Sequence, residues 1–362
     1  MTRTAVVLFT RDLRVHDHPA RAAARSECDR VVPLFVLDER LLATSAKRTA
    51  FLHERLAELR AALGLVVAHG DPVEETARFR PNAVYLSEDV SAYARRRAAR
   101  LAKHFEVRLF PGVTIVPPGE LAPAGKNHYR VFTPYWRAWR ASPLPAPVES
   151  GKPLPAGIGP LSAHLHFGSV SPAEVARRAS DELLRRLCWR EFFAQLLAAA
   201  PELEWRDMYP GRRVWLDDPE AVAAWKEGRT GHPFVDAAMR QLLAEGWIPN
   251  RQRLVAASLL VKQLRIDWRI GAAHFMEHLL DGDAASNSGN WQWVAGTGAD
   301  PRTNRTFNPT RQGRLHDPDG GYVRRWLPEL ASLPAARIHD PTPEQRRALG
   351  YVDPIRVEER VA

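Results

Sequence analysis

Polar and aromatic side chains that suit a buried redox cofactor concentrate in one stretch, from Trp247 to Trp293. Its first part, GWIPNRQRLVAASLLVKQLRIDW, has helical spacing, so that Asn250, Arg253 and Leu254 share one face. This face offers an amide, a guanidinium and a hydrophobic side chain to one neighbour. The opposite side of the same predicted helix is apolar and carries Leu259, Leu260 and Leu264.

The second part of the stretch, LLDGDAASNSGNWQW, brings carboxylates, an amide and indoles close together in sequence. The residues are Asp281, Asp283, Asn287, Trp291 and Trp293. A carboxylate from this segment can pair with Arg253. A structural alternative stays open: Arg253 pairs with Asp281 only to hold the fold, and the tryptophans are ordinary core, since Trp is highly buried on average.

The first third of the chain predicts an α/β domain. Short apolar runs suited to strands buried on both faces cover residues 5–9, 31–37, 65–68, 83–86 and 107–110. Helical segments alternate with them: Pro19 can begin one, residues 47–63 have helical spacing, and Ser91 can cap residues 92–104. This alternation predicts a doubly wound parallel sheet.

The loop after the first strand, TRDLRVHDHPA, contains neither G-x-G-x-x-G nor G-x-x-x-x-G-K-[ST]. The sequence therefore offers no support for a dinucleotide-dependent dehydrogenase. A solvated loop is one interpretation of Arg11, Asp12 and Arg14.

Proline and glycine cluster between residues 112 and 159, which predicts a linker. Inside it, NHYRVFTPYWRAWR interleaves aromatic and basic residues, as single-stranded nucleic-acid binders do. We favour a linker helix that packs through Phe132, Tyr135, Trp136 and Trp139. From residue 161 onward the pattern is helical. We therefore expect an α/β domain over 1–125, a linker over 126–160 and an all-α domain over 161–362.

Composition excludes some classes and leaves others open. The 362 residues carry a net charge of +9, which favours a polyanionic partner, although solubility alone could explain it. No apolar run reaches the roughly 18 residues of a membrane span, and the N-terminus lacks signal-peptide features. Cys28 and Cys188 favour a reducing compartment, so we expect a cytoplasmic protein. His164 and His166 diverge on a helix, and we expect no metal site.

Ordered strings along the chain resemble the photolyase and cryptochrome family. They are CWREFF, AWKEGRTGHPFVDAAMRQLLAEGW, NRQRLVAASLLVKQLRIDW, DGDAASNSGNWQWVAGTG, FNPTRQG and YVRRWLPEL. The resemblance implies an antenna-type α/β domain, introduced by FTRDLRVHDHPA, and an all-α FAD-binding domain. It also implies FAD, a second antenna chromophore of the deazaflavin or methenyltetrahydrofolate type, and UV-damaged DNA as the partner of a monomer.

By the same resemblance, individual residues acquire roles around the flavin. The implied cofactor-binding residues are Ser162, Arg190, Asn250, Arg253, Asp281, Asp283 and Asn287. Asn287 would accept a hydrogen bond from flavin N5–H and favour reduced flavin. Arg253 and Asp281 would form a buried ion pair. Trp215, Trp268 and Trp291 match the tryptophan relay that carries electrons to photoexcited flavin.

The resemblance also implies a cavity that receives a pyrimidine dimer flipped from the duplex. The residues implied for this cavity are Arg186, Trp189, Asn250, Arg251 and Leu254. A separate series of basic residues can bind DNA phosphates: Arg190, Arg251, Arg302, Arg305, Arg311 and Arg314. Arg186 departs from the Glu or Gln common in the family, and Leu254 departs from its Met. Arg donates only and cannot accept from a base N–H, whereas Leu keeps the volume of Met.

The linker departs further from the sequence that is common in this family. Ile158 and Gly159 occupy the Thr and Ser positions of a phosphate-binding stretch in which Ser162 matches, and the upstream Tyr segment is absent. The predicted function is a blue-light-driven, FAD-dependent deoxyribodipyrimidine photolyase that splits cyclobutane pyrimidine dimers by electron transfer. Two alternatives stay open: a cryptochrome-like photoreceptor, and a diverged relative with another substrate or no FAD.

Overall fold

Five short strands form one parallel sheet in the order β3-β2-β1-β4-β5. The strands are β1 (Thr4–Leu8), β2 (Arg30–Leu37), β3 (Val66–His69), β4 (Ala83–Ser87) and β5 (Glu106–Phe110). Ala5 at the centre is in register with Val31 on one side and Ala83 on the other. Strand order changes direction at β1, as in doubly wound folds, and the predicted fold class is confirmed.

Burial on both faces holds for the centre of the sheet but not for its edges. Every residue of β1 and β4 is buried, whereas β3 and β5 are only partly covered. Val66 and Leu109 are exposed, at 36% and 51%. The expectation of full burial was wrong for β3 and β5 because each is an edge strand with one neighbour.

The helices that cover the sheet begin at polar caps. They are α1 (Pro19–Glu27), α2 (Ala46–Leu63), α3 (Pro72–Ala77) and α4 (Ala92–Leu101). Pro19 occupies the first turn of α1, and the Ser91 hydroxyl accepts from the Ala94 N–H, as predicted. The α4 helix ends three residues earlier than predicted, because the chain turns there into β5.

The next helices in sequence are α5 (Phe132–Ala141), α6 (Leu161–Phe167), α7 (Pro172–Arg178) and α8 (Asp181–Ala199), and a 3₁₀ turn, Pro201–Glu204, comes after them. The predicted linker helix is α5. Its Phe132 ring stacks on Trp189 of α8, with centroids 3.7 Å apart and planes 4° apart. The Trp139 Nε1–H donates to Glu191 of α8 at 2.6 Å.

The rest of the chain is helical. Its elements are α9 (Pro219–Glu227), α10 (Pro233–Glu245), α11 (Asn250–Ser258), a π-helix (Leu259–Gln263), α12 (Trp268–His278), α13 (Ala284–Ala295), α14 (Pro309–His316), α15 (Gly321–Trp326), a 3₁₀ turn (Pro328–Leu330), α16 (Ala335–Ile338) and α17 (Pro343–Leu349). Trp225, Trp268 and Trp291 lie in its hydrophobic core.

The computed structural model describes residues 2–39, 45–148, 160–300 and 302–355. It divides into two compact units: Met1–Glu204 with Leu280–Ser286, and Trp205–Leu279 with Asn287–Ala362. The division of the sequence at 125 and 160 stays a prediction, and Ile158 and Gly159 lie outside the described residues. No described helix is long and apolar enough to cross a membrane.

Candidate functional site

A buried charge cluster in the first unit surrounds the beginning of α13. The Asp283 carboxylate accepts from the Ser286 N–H at 2.7 Å, as an N-cap does, and lies 2.8 Å from the Arg11 guanidinium. Arg11 also lies 3.3 Å from Asp89, and its Nε donates to the His166 carbonyl. The loop after β1 is therefore built into the cluster.

The solvated-loop interpretation of that segment was wrong. Asp12 is fully buried and Arg14 is 4% exposed. The Arg14 guanidinium donates to the carbonyls of Asp17, Gly168 and Gly112. Arg14 thus ties together backbone segments that are far apart in sequence.

Opposite charges set the protonation of the cluster. Burial alone would raise the pKa of Asp283, but Arg11 and Arg190 outweigh burial and hold that pKa well below its usual range. Burial, and after it the charge of Arg11, lowers the pKa of His166 well below its usual value, so this imidazole is neutral at pH 7. The cluster therefore combines fixed cations, a fixed carboxylate and a neutral ring.

A small pocket opens within the first unit beside this cluster. Its charged lining residues are Arg11, Glu88, Asp89, Arg190 and Asp283. Arg190 does not face outward as part of a basic surface series. Its guanidinium donates to the carbonyls of Val113, at 2.6 Å, and Leu165.

Three other predicted residues of the first unit occupy distinct positions. Ser162 lies in the first turn of α6, whose N-cap, Pro160, has no side chain that can accept a hydrogen bond. Trp189 is half-buried under the Phe132 ring. Arg186 is exposed and pairs with Glu182, one turn earlier in the same helix, at 2.5 Å.

In the second unit, α12 fixes the orientation of Asn287. Its Nδ2 donates to the Ala272 carbonyl of α12 at 2.8 Å. Because that bond uses the NH₂ end, the amide oxygen is directed away from Ala272 as an acceptor. An amide oxygen is the type of acceptor that a flavin N–H requires, so the chemistry of Asn287 is compatible with FAD.

The three predicted relay tryptophans differ in exposure. Trp291 and Trp268 are 2% and 1% exposed, whereas Trp215 is partly exposed. The Trp268 Nε1–H donates to Asp207 at 2.7 Å, and the Arg269 guanidinium lies over the Trp268 ring. Two oxidisable rings thus lie in the core and a third reaches solvent.

The predicted helix from Asn250 changes form halfway. After α11, a π-helix places the Leu264 N–H on the Leu259 carbonyl, and Arg265 then adopts φ +55°. Leu259, Leu260 and Leu264 are buried, as expected. The prediction of one continuous α-helix was wrong, because the wider i→i+5 turn of the π-helix rotates the side chains that follow it around the helix axis.

The polar residues of α11 face different surroundings. Asn250 is exposed, Arg251 lies over the Phe307 ring, and the Arg253 Nε donates to the Ile248 carbonyl at 2.9 Å. Leu254 packs at the margin of the second unit's core. The ion pair between Arg253 and Asp281 joins residues of different units and stays a prediction.

Sequence reasoning missed the Arg11–Asp283 pair and the buried Glu191. Glu191 accepts from the N–H groups of Ile115 and Val116 as well as from Trp139. A sequence signal existed for both: Arg11 lies in FTRDLR and Glu191 in CWREFF, two strings that carry the resemblance.

An α/β sheet and, after it in sequence, a helical domain with these residues define a flavoprotein of the photolyase type. Residues 5–156 match the DNA photolyase family, and residues 183–358 match the FAD binding domain of DNA photolyase. The chain belongs to the photolyase and cryptochrome family. The predicted family and FAD-binding domain are confirmed.

The chain is similar in sequence to known proteins over nearly its whole length. A deoxyribodipyrimidine photo-lyase of Streptomyces griseus is 40% identical across 97% of this chain and 96% of its own. A cryptochrome DASH of Gloeobacter violaceus is 32% identical across 94% and 88%. An archaeal photolyase structure from Sulfolobus tokodaii, solved with two FAD molecules, has a TM-score of 0.87 at 28% identity, covering 98% and 96%.

The Streptomyces griseus alignment spans 435 positions, whereas this chain has 362 residues. That relative therefore carries residues that have no counterpart here.

Proposed function

We propose that this chain is a deoxyribodipyrimidine photo-lyase, an FAD-dependent enzyme that uses blue light to split cyclobutane pyrimidine dimers in UV-damaged DNA. The observation that carries the proposal is the 40% identity to an enzyme of that name across 97% of the chain. The side chains of the second unit support it, because they supply both a flavin-directed amide and a tryptophan series.

Asn287 positions an acceptor for the flavin. When bound, FAD would supply the light absorption and the reversible one-electron transfer on which dimer splitting depends. The Ala272 carbonyl anchors the NH₂ end of Asn287, and the amide oxygen would accept from flavin N5–H without burying a charge. The residue thereby favours the reduced cofactor that repair requires.

The three tryptophans of the relay, Trp291, Trp268 and Trp215, would return oxidised flavin to its reduced state. Electrons enter at the partly exposed Trp215 and pass through the buried Trp268 to Trp291. The Asp207 carboxylate accepts the Trp268 Nε1–H and stabilises the positive charge that oxidation leaves on that ring. The relay serves photoreduction and takes no part in ring splitting itself.

Cations and helix ends hold the rest of the cofactor. Ser162, in the first turn of α6, would contact the phosphates, and backbone N–H groups would replace the missing Thr and Ser hydroxyls. Asp283 and Arg190 lie at one pocket of the first unit, where their charges are already matched. Asn250, Arg253 and Asp281 complete the flavin surroundings.

The substrate is a dimer flipped out of DNA, and unpairing costs less at a damaged base. Trp189 supplies an aromatic wall, with its ring held flat by Phe132. Asn250, Arg251 and Leu254 are the other residues that we propose for dimer binding, and Arg186 would contact a phosphate rather than a base. Arg302, Arg305, Arg311 and Arg314 contribute the salt-dependent binding of a basic chain.

The remaining assignments are the location, the assembly and the second chromophore. The enzyme acts in the cytoplasm as a monomer, consistent with two free cysteines. A second chromophore, a deazaflavin or methenyltetrahydrofolate, would serve as an antenna, and the α/β domain over 1–125 would hold it. The linker over 126–160 would then lead to the helical domain over 161–362.

Irradiated oligothymidylate tests the function. Blue light should remove dimers in the presence of the flavin-loaded protein, and the dark sample should keep them. A protein that binds FAD and photoreduces but leaves dimers intact would instead be a cryptochrome-like photoreceptor. Failure to bind added FAD would identify a diverged relative.

A further inference from the structure

The last turns of α12 carry two imidazoles and a carboxylate on one face. His274, Glu277 and His278 have the spacing i, i+3 and i+4, which places side chains above one another on a helix. One ligand atom from each lies within 4.8 Å of the others. No residue of this group has a place in the proposed flavin or DNA chemistry.

The His274 ring has one buried nitrogen that lacks a hydrogen-bond partner among the described residues. This nitrogen is Nε2, and the residue as a whole is 6% exposed. A buried polar atom without a partner destabilises the fold, and a bound ion would remove that cost. The ring is held in place, since it makes edge contacts with Trp225 at 5.5 Å and with His278 at 4.5 Å between centroids.

The other two side chains leave the group open to solvent on one side. Glu277 and His278 are 64% and 29% exposed, and the Glu277 Oε2 lies 3.9 Å from the His278 Nε2. An ion can therefore approach from solvent and reach His274. The C-terminal end of a helix favours a cation, whereas the charge of Lys226, which acts on His274, opposes one.

The donor types select the ion. Two neutral imidazoles and one carboxylate suit zinc and similar first-row dications, whereas calcium and magnesium prefer oxygen ligands alone. Tetrahedral bonds of about 2.0 to 2.1 Å place ligand atoms roughly 3.3 Å apart. Rotation of the Glu277 and His278 side chains, which lie on the exposed side of the group, would close the difference, while the packed His274 ring stays in place.

We propose that His274, Glu277 and His278 bind one divalent transition-metal ion of the zinc type, with water completing its coordination. The ion joins the last turn of α12 and satisfies the buried Nε2 of His274. Its role is structural, since three ligands from one helical turn fix the end of that helix.

Calorimetry on the tag-free, EDTA-treated, flavin-loaded protein tests the site in the dark. Zn²⁺ should bind at one ion per chain and raise the melting temperature, because only the folded chain has the site. Co²⁺ should give the visible absorption of tetrahedral coordination at wavelengths beyond the flavin bands. A Zn²⁺-soaked crystal should show anomalous density beside the Nε2 of His274.

Substitutions separate this site from adventitious binding. Glu277→Gln and His278→Gln change exposed or half-exposed positions, so the fold should persist, and each should weaken Zn²⁺ binding at least about tenfold. His104→Gln removes an exposed histidine elsewhere and should leave affinity unchanged. Equal affinity in all three variants, or no binding by the parent protein, would overturn the proposal.

Discussion

Gly271 of α12 lies directly against the ring of Trp291 of α13. A Cβ at position 271 would lie 2.2 Å from the Cη2 of Trp291 and 2.7 Å from the Cδ2 of Leu260. No side chain larger than hydrogen fits there without displacing the indole. The position of a proposed relay residue therefore depends on the absence of a methyl group on the neighbouring helix.

Gly271→Ala should destabilise the protein by about 1 to 3 kcal/mol through overpacking, partly offset by the roughly 1 kcal/mol that Ala gains over Gly in a helix. Urea unfolding measures the change. Gly321→Ala is the matched control, because the nearest atom to its Cβ would be 3.5 Å away, on the exposed Asp319 side chain. An unchanged stability in Gly271→Ala would mean that Trp291 is not held against α12.

Asn287→Ala should lower the flavin midpoint potential. Loss of one neutral hydrogen bond is worth about 1 kcal/mol, which is roughly 20 mV for a two-electron couple. Spectroelectrochemistry of the flavin-loaded protein gives the value. Asn290→Ala, on the exposed face of the same helix, should leave the potential where it was. Identical potentials in both variants would remove Asn287 from the flavin surroundings.

Trp268→Phe should slow photoreduction at least tenfold while chemically reduced enzyme keeps its repair rate, because Phe is far harder to oxidise. Flavin bleaching under blue light with an external reductant measures the first rate. Trp205→Phe changes an indole that is 51% exposed and outside the relay, and it should behave as the parent protein does. Equal losses of photoreduction and repair in Trp268→Phe would contradict the relay.

Asp283→Asn should destabilise the flavin-free protein by about 3 kcal/mol at pH 7, since Arg11 and Arg190 lose a buried partner. The pKa of Asp283 is lowered on folding, so its contribution is complete above the ordinary value of 3.8 and is lost as pH falls below it. The parent protein should therefore lose stability more steeply than the variant below about pH 4.

Denaturant unfolding between pH 6 and pH 2.5 measures that difference. Asp217→Asn, at an exposed position, serves as the control and should give the same curve as the parent protein. Coincident curves for the parent protein and Asp283→Asn would show that the Arg11–Asp283 pair adds no stability.

Arg311→Ala should weaken binding to undamaged and damaged duplexes alike and reduce the slope of log affinity against log salt by about 1. Arg311 is exposed in the first turn of α14. Arg60→Ala, an exposed arginine of α2, should keep the full slope. A selective loss for damaged DNA would instead place Arg311 at the lesion.

The sheet and its caps could be predicted because their signals are local. Alternating apolar runs, Pro19 and Ser91 each specify structure within a few neighbouring residues. Edge strands could not be distinguished from central ones, since strand order depends on the whole sheet. The π-helix at Leu259–Gln263 was equally invisible, because its extra residue per turn has no composition of its own.

The residues of the candidate site were also predictable only where the signal is local in sequence. Asn287 could be selected by resemblance, but its orientation depends on the Ala272 carbonyl of a different helix. Arg11 and Asp283 are 272 positions apart, and no spacing rule links them. The group on α12 has a sequence signal, since H-x-x-E-H places His274, Glu277 and His278 on one face of a helix. The expectation of no metal site considered only His164 and His166.

The most direct measurement of the central claim is the number of dimers repaired per flavin under blue light, using anaerobically reduced protein and irradiated oligothymidylate. We predict many repaired dimers per flavin, with no net loss of reduced cofactor because the electron returns after each ring splits, and no repair in the dark. Repair that stops at one dimer per flavin, or that proceeds equally without light, would contradict it.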